Sequence, residues 1–192
     1  MAIGFDPAVT SRIGTDYMND ITFITDRQIY ESVILDAVPR AKRFLWIATA
    51  DLKDLYVKKG RKMVPFLELL SDLAGAGVSI RLLHAKEPGP AFMKDFDRYP
   101  QLLDGMERIC CPRVHFKSVV VDATFAYSGS ANLTGAGMGA RSANRRNFES
   151  GFITSDEALI SQIMEQFDAL WMGQHCVTCG RKEFCTDCQE LL

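Results

Sequence analysis

Two short clusters of polar residues in the middle of the chain combine the groups that phosphate chemistry needs. The first places His115 two residues before Lys117, and the second is the turn Gly129-Ser130-Ala131-Asn132. A histidine can attack phosphorus or move a proton, and a lysine supplies a fixed positive charge for phosphate oxygens. A hydroxyl, an amide and the backbone N–H groups of a turn can bind further oxygens. The pattern therefore predicts chemistry on a phosphate ester.

Two predicted strands position these clusters. The apolar run over 114–121 is typical of a buried strand, in which His115 and Lys117 share one face because strand side chains alternate. A tight turn leads into a second strand over 124–128, and the Gly-Ser-x-Asn turn follows it directly. We expect the two clusters to face the same phosphate.

The remaining chain predicts an α/β domain with a mixed sheet flanked by helices, because strand and helix patterns alternate. Further strands are expected over 21–25, 44–50, 78–83 and 148–154. Helices are expected over 27–43, where Pro39 allows an earlier end, over 63–73, and over 156–172 with Ser155 and Asp156 as caps. The polar and basic stretch over 51–62 is expected to be a loop.

Length and composition describe an ordinary globular chain. The 192 residues are 47% hydrophobic and 24% charged, with a formal net charge of -2, so any site for a polyanion must be local. We expect one domain over 1–172 and a small cysteine-rich element over 173–192. No apolar run reaches the roughly 20 residues of a membrane span, and the N-terminus lacks a signal-peptide pattern. We therefore expect a cytoplasmic protein without integral membrane association.

The full string also includes Asp122. His-x-Lys, four residues, Asp, six residues and Gly-Ser-x-Asn occur without a gap. This string resembles the motif of the phospholipase D superfamily, and the resemblance extends over about residues 20–172. The chain resembles in particular the short bacterial nucleases that carry one copy of the motif.

The resemblance implies hydrolysis of a phosphodiester without a catalytic metal or other cofactor. His115 matches the nucleophile that forms a phosphohistidine intermediate. Lys117 and Asn132 match the groups that hold the phosphate oxygens, and Ser130 matches a supporting hydroxyl. Asp122 matches a residue that mainly supports the local structure, and Glu149 resembles a downstream acid that orients the histidine.

The family builds each active site from two motifs, whereas this chain carries one. His84-Ala85-Lys86 imitates the first half of a second motif, but Ala91 stands where an aspartate is required and no second Gly-Ser-x-Asn follows. The resemblance therefore implies a homodimer in which two copies of His115 meet across a twofold axis.

The substrate is left open among three classes. A nucleic acid fits the single-motif resemblance and two basic runs, one around Lys58, Lys59, Arg61 and Lys62 and one at Arg141, Arg145 and Arg146. A phospholipid such as cardiolipin or phosphatidylglycerol is the first alternative. A non-catalytic nucleic-acid or partner-binding module is the second.

The C-terminal tail contains four cysteines in two Cys-x-x-Cys pairs separated by five residues. They are Cys176, Cys179, Cys185 and Cys188. Four thiolates at this spacing in a reducing compartment predict a structural zinc ion, with His175 able to replace one of them. An iron–sulfur cluster, a redox pair and free thiols are the alternatives. Cys110 and Cys111 are adjacent and are interpreted as small buried apolar residues.

Overall fold

A computed structural model describes residues 21–53 and 55–187 of this chain. Its strands are β1 (Ile21–Thr25), β2 (Phe44–Thr49), β3 (Tyr56–Lys59), β4 (Lys62–Pro65), β5 (Ser79–His84), β6 (Met106–Cys110), β7 (Lys117–Val121), β8 (Phe125–Gly129) and β9 (Ser150–Thr154). Its helices are α1 (Arg27–Ile29), α2 (Phe66–Gly75), α3 (Pro90–Phe96), α4 (Gln101–Gly105) and α5 (Glu157–Trp171). A π-helical segment (Tyr30–Ala37) and a 3₁₀ turn (Val38–Arg40) continue α1.

Seven of the strands form one mixed sheet in the order β1-β9-β8-β7-β2-β5-β6. Strands β2, β5 and β6 run parallel, and the pairs from β2 through β7, β8 and β9 to β1 are antiparallel. This arrangement confirms the expected α/β class with a mixed sheet. Ala48 pairs with Ser118, so Lys117 at the start of β7 lies beside the carboxyl end of β2.

Helices cover both faces of the sheet because the central strands are apolar on both sides. Leu45 and Ile47 of β2 pack with α1, the π-helical segment and α2, whereas Trp46 and Ala48 pack with α5. The alternation follows directly from the two-residue period of a strand. A strand covered on both faces has no polar face, which explains the continuous apolar runs over 44–48 in β2 and 119–121 in β7.

Two expected elements differ in the structure. The stretch over 51–62 is not a loop throughout, because β3 and β4 form a hairpin that turns at Gly60 with a φ of +62°. Val57 is the buried residue of β3, and the surrounding lysines conceal its strand pattern in the sequence. The helix expected over 63–73 accordingly begins later, at Phe66.

Two further differences concern β6, which was not expected, and the start of β7. Strand β6 pairs in parallel with β5, although Glu107 and Arg108 interrupt its apolar pattern, which an edge strand tolerates. The strand expected over 114–121 begins only at Lys117. His115 therefore lies in the loop before β7 rather than on the strand itself.

Candidate active site

His115 and Lys117 lie together at the entrance to β7. The Lys117 ammonium nitrogen is 3.5 Å from Nδ1 of His115 and donates a hydrogen bond of 2.6 Å to the His115 backbone oxygen. The His115 side chain is exposed, whereas Lys117 retains only 6% of its accessible surface. The exposed ring can reach a substrate, and the buried ammonium is a fixed charge directly behind it.

Burial sets the electrostatics of Lys117. Desolvation lowers the pKa of its ammonium from the ordinary value of 10.5, and the nearby negative charge of Glu149 opposes this shift. A desolvated cation interacts more strongly with an incoming phosphate than an exposed one, because less water screens it. The placement suits Lys117 to hold a phosphate oxygen.

Asn132 follows β8 and is oriented by the loop that follows β2. Its side-chain oxygen accepts hydrogen bonds from the backbone N–H groups of Ala50 and Asp51, at 3.2 and 3.1 Å. With the oxygen occupied, the amide nitrogen is the group left to donate to a phosphate. The orientation of this amide is thus determined by backbone donors more than 80 residues away in sequence.

Thr49 supports the same loop and is a site residue that the motif does not contain. Its fully buried hydroxyl donates to the Asp51 backbone oxygen at 2.7 Å and accepts from the Leu133 N–H at 2.9 Å. These two bonds join the residue after Asn132 to the end of β2 and hold the loop whose backbone N–H groups orient the Asn132 amide. A polar residue at the end of an otherwise apolar strand is the only signal of this role in the sequence.

Ser130 and Glu149 form a second pair beside Asn132. The Ser130 hydroxyl donates a short hydrogen bond to the Glu149 carboxylate, which also accepts from the Asn147 amide at 3.0 Å. Within residues 21–53 and 55–187, no hydrogen bond joins Glu149 to the His115 ring. The orienting role of Glu149 therefore stays a prediction.

Gly129 is required by the close approach of β8 and β9. It pairs with Gly151, and a Cβ atom on Gly129 would lie 2.5 Å from the Ser150 oxygen and 2.8 Å from the Gly151 Cα. Any side chain here would push the strands apart. The glycine of the motif thus allows Ser130 to meet the Glu149 segment.

Asp122 lies at the opposite end of β7 from Lys117, in the β7–β8 turn. Its carboxylate accepts hydrogen bonds from the backbone N–H groups of Lys42, Arg43 and Phe44, at 2.8, 2.8 and 2.9 Å. Burial alone would raise the pKa of Asp122, but these three bonds and the Arg43 charge lower it below its ordinary value. Asp122 fastens the turn to the start of β2 and makes no contact with Lys117 or Asn132.

His84 ends β5 and is a core residue. Its ring is buried, Nδ1 lies 2.8 Å from the Lys86 backbone oxygen, and desolvation lowers its pKa from the ordinary 6.5. A buried histidine that favours its neutral form is poorly suited to act on an external phosphate.

The cysteine tail packs against the end of β6. Asp187 accepts the Cys110 N–H at 2.7 Å, and the Cys185 thiol lies 3.4 Å from the Cys110 oxygen. Tail and sheet enclose a cavity of about 30 Å³, lined by Cys110, Cys111, His175, Cys176, Cys179 and Cys185 among others.

This cluster does not form a ready metal site in the described part of the chain. There, no three His, Cys, Asp or Glu side chains are grouped to hold a metal ion, and the fourth expected ligand, Cys188, lies outside the described residues. Burial raises the pKa of Cys110 to about 11, as expected for a small buried thiol, whereas Cys111 is only half-buried.

The two basic runs belong to different segments of the fold. Lys58, Arg61 and Lys62 are exposed on the β3–β4 hairpin, whereas Lys59 pairs with Glu68 and Asp72 of α2. The second run lies in the loop between Asn132 and Glu149. Among the helices of the described residues, none has the length and apolar character that a membrane crossing requires.

Comparisons with known proteins agree with this geometry. A family model described as "Cardiolipin synthase, PLD-like domain" matches residues 34–171. No curated protein sequence gives a significant match.

Solved structures show the same fold. Nuc from Salmonella typhimurium, a phospholipase D family member, is 16% identical with a TM-score of 0.59, covering 79% of this chain and 93% of that one. NucT from Helicobacter pylori is 13% identical with a TM-score of 0.59, covering 79% and 96%. A phosphatidylserine synthase from Haemophilus influenzae is 12% identical with a TM-score of 0.57, covering 76% of this chain and 35% of that one.

Proposed function

This chain belongs to the phospholipase D-like family, and from that premise we propose that it is a nuclease that hydrolyses phosphodiester bonds without a catalytic metal. The observation that carries the proposal is the buried Lys117 ammonium, held 3.5 Å from the ring of the exposed His115. Such a pair places a nucleophile and a positive charge next to the same phosphate group of a substrate.

The proposed reaction has two steps. A ring nitrogen of His115 bonds to phosphorus while the bond from phosphorus to the leaving oxygen breaks. A second histidine gives its proton to that oxygen, so that the alcohol leaves neutral. Water then loses a proton to the second histidine and breaks the phosphorus–nitrogen bond, which leaves a phosphomonoester. Lys117 and the Asn132 amide stabilise the negative charge that builds up on the phosphate oxygens.

We propose that the second histidine is His115 of another copy of the chain. His84 is buried against its own backbone, and the third histidine, His175, lies in the cysteine tail. The exposure of His115 is compatible with a facing partner. Phe148, next to Glu149, is 95% exposed, and a large apolar side chain at the rim of the site suits an interface between copies.

Nucleic acid is the substrate class that the surface charges favour. Arg145 and Arg146 lie in the loop directly before Glu149, where they can contact the phosphates on either side of the cleaved bond. The similar fold of Nuc and NucT supports the same class. A phospholipid is the second candidate, favoured by the cardiolipin synthase family model and the phosphatidylserine synthase fold.

The test is a substrate panel with a His115→Ala variant. Purified protein is incubated in chelator with single-stranded DNA, duplex DNA, RNA and cardiolipin vesicles. We expect cleavage of nucleic acid by the wild type and a loss of about 10³-fold or more in the variant. Circular dichroism and sedimentation verify that the variant keeps its fold and assembly. Undiminished turnover by His115→Ala would refute the phosphohistidine mechanism, and cleavage of vesicles alone would reassign the substrate.

We also propose that the tail holds a structural zinc ion. The spacing of the two cysteine pairs supports it, as does the common cavity reached by Cys176, Cys179 and Cys185. Chelation is expected to lower the melting temperature while leaving the initial cleavage rate unchanged, because the proposed catalytic residues bind no metal. Elemental analysis that finds no zinc, or iron instead, would contradict the assignment.

A further inference from the structure

A second cavity lies next to the candidate active site. It has a volume of about 190 Å³ and is enclosed by the loop after β2, the start of α2, helix α3 and Leu133. Helix α3 follows β5, which is parallel to β2. The cavity therefore lies outside the carboxyl ends of parallel strands, where open α/β sheets commonly bind ligands.

The wall of this cavity is continuous with the phosphate-binding residues. Leu133 is the neighbour of Asn132, forms a bridge to Leu52, and its backbone oxygen accepts the Lys53 N–H at 3.2 Å. Adjacent Cα atoms are about 3.8 Å apart, so the cavity wall begins at the residue that follows Asn132. A group attached to a phosphate held by Asn132 can reach it.

The lining favours a flat aromatic group. Phe66, Phe92 and Tyr56 contribute three rings, and Asp95 adds a carboxylate. The volume is below the roughly 300 Å³ or more of sites for drug-sized ligands, which suits one ring system rather than an extended chain. A nucleobase can stack on such rings and donate an N–H to the Asp95 carboxylate, which already accepts from Arg98 at 3.1 Å and has a second oxygen.

The rim of the cavity is basic. Lys53, which pairs with Asp51 at 2.8 Å, lies in its wall, and the exposed Lys58 and Arg61 belong to the β3–β4 hairpin that begins at the wall residue Tyr56. Cations at this position attract the phosphates that flank a bound nucleotide. The apolar interior suits the base of one nucleotide in a nucleic-acid strand, and the basic rim suits the phosphates on either side of it.

We propose that this cavity receives one unstacked nucleobase of a single-stranded nucleic acid, adjacent to the phosphodiester held at Lys117 and Asn132. The proposal rests on the proposed nuclease function. It implies a preference for single strands, because a base in a duplex must first leave its stack.

The test fills the cavity from its mouth. Ala91 on α3 is exposed and lines the cavity, so Ala91→Trp blocks it without disturbing the core. Ala76→Trp, at an exposed residue after α2 that does not line the cavity, is the matched control. We expect Ala91→Trp to lower kcat/KM on single-stranded oligonucleotides by about tenfold or more, since base stacking contributes about 1–3 kcal/mol. Cleavage of an abasic oligonucleotide, which has neither a base nor another aromatic ring, should not differ between Ala91→Trp and the wild type.

Further measurements separate the outcomes. With the wild type, removing the base from the oligonucleotide should lower kcat/KM as much as Ala91→Trp lowers it on the intact oligonucleotide. With Ala91→Trp, removing the base should cause no further loss. Equal oligonucleotide cleavage by Ala91→Trp and Ala76→Trp would overturn the base pocket, as would a defect confined to phospholipid vesicles. If the wild type cleaves no diester, the proposed function fails. In that case fluorescence anisotropy tests the base pocket by itself, through the affinity of each variant for a labelled oligonucleotide. Equal affinities of Ala91→Trp and Ala76→Trp would reject the pocket.

Discussion

Lys117 illustrates how a proposed role in catalysis opposes stability at a single residue. Its ammonium is buried, and the lowered pKa shows that the fold disfavours the charge it carries at neutral pH. The unfolded chain solvates the same charge freely. The proposed phosphate-binding group is thus held at an energetic cost, which a phosphate offsets when it binds.

Replacing Lys117 by methionine should separate these two effects. We expect turnover to fall by about 10²- to 10³-fold, because a donor to the phosphate is lost. The free energy of unfolding at pH 7 should stay equal or rise by up to about 2 kcal/mol, because a buried charge is removed. Denaturant unfolding and kinetic assays on the same preparation measure both.

The pH dependence of the free energy of unfolding tests whether the Lys117 charge destabilises the fold. Because the native pKa of Lys117 lies below 10.5, the unfolded chain binds the proton more tightly, so wild-type stability rises with pH between the two values. The methionine variant lacks this rise, and its advantage should shrink above neutral pH. A variant clearly less stable than the wild type at pH 7 would contradict the assignment of a costly charge.

Thr49 is expected to act through Asn132 rather than on the substrate. Thr49→Val keeps the shape but removes the two hydroxyl bonds that tie Asp51 and Leu133. We expect kcat to fall about tenfold as the Asn132 amide loses its orientation, and Thr49→Ser to restore it. A purely structural role would lower the melting temperature of Thr49→Val while leaving kcat unchanged.

The site residues could be predicted from the sequence only where the chemistry is contiguous. The pairs His115/Lys117 and Ser130/Asn132 occur within single segments, and the structure brings both segments to the edge beside β2. Thr49 escaped prediction because it meets Leu133, 84 residues later, and no local pattern encodes that contact. The role of Asp122 as an acceptor for the β2 segment is equally non-local.

At the scale of elements, the β7–β8 turn determines how β7 meets β2. Three residues connect the strands, and the Thr124 N–H closes a turn on the Val121 oxygen at 3.0 Å. The central residues of this turn, Asp122 and Ala123, have positive φ values of 54° and 56°, and a turn of this hand matches the twist of a hairpin. The Asp122 carboxylate then fixes the N-terminal end of β2 through three backbone donors. One turn therefore aligns the two central strands.

Asp122→Ala is expected to lower the free energy of unfolding by about 3 kcal/mol at pH 7, because hydrogen bonds to a charged acceptor and a turn-compatible residue are lost together. Asp122→Asn should cost less, since asparagine tolerates positive φ. The lowered native pKa of Asp122 means that its contribution is present above pH 3.8 and is lost as pH falls through the native value. Urea unfolding at pH 7 and pH 3 measures this. A difference that is as large at pH 3 as at pH 7 would contradict the charge-based explanation, because only the strain of alanine at a positive φ is independent of pH.

Elements with a regular apolar pattern could be predicted from the sequence. Elements that depend on neighbouring strands or helices for their stability could not. Strands β2, β5 and β9 and helix α5 follow apolar patterns, and Asp156 caps α5 by accepting the Leu159 N–H at 2.7 Å. The β3–β4 hairpin carries one buried anchor among lysines, and β6 alternates with charges, so their strand pairing depends on neighbours.

For the whole molecule, the decisive question is whether two chains share one site. A mixed dimer of wild type and His115→Ala would hold one histidine where the proposed reaction uses two. Random mixing at equal amounts gives about 25% wild-type dimers, so activity should fall to about a quarter of the wild-type value. Independent sites would leave about half.

The assay for this prediction needs two tags and an unactivated diester. Co-expression and sequential purification isolate the mixed dimer, and an aryl leaving group is avoided because it departs without an acid. A mixed dimer at half the wild-type rate, or an active monomer in sedimentation, would show that the second proton donor comes from elsewhere.

The pairing of β1 with β9 has a consequence for synthesis. Asp26, just after β1, exchanges backbone and side-chain bonds with Glu149, 123 residues later. At roughly 5–20 residues per second, a ribosome delivers the partner of β1 roughly 6 to 25 seconds after β1 itself. Until then the growing chain lacks Glu149, the acceptor of the Ser130 hydroxyl. On the proposed function, the nascent enzyme stays incomplete through most of the time in which its own messenger RNA is close at hand.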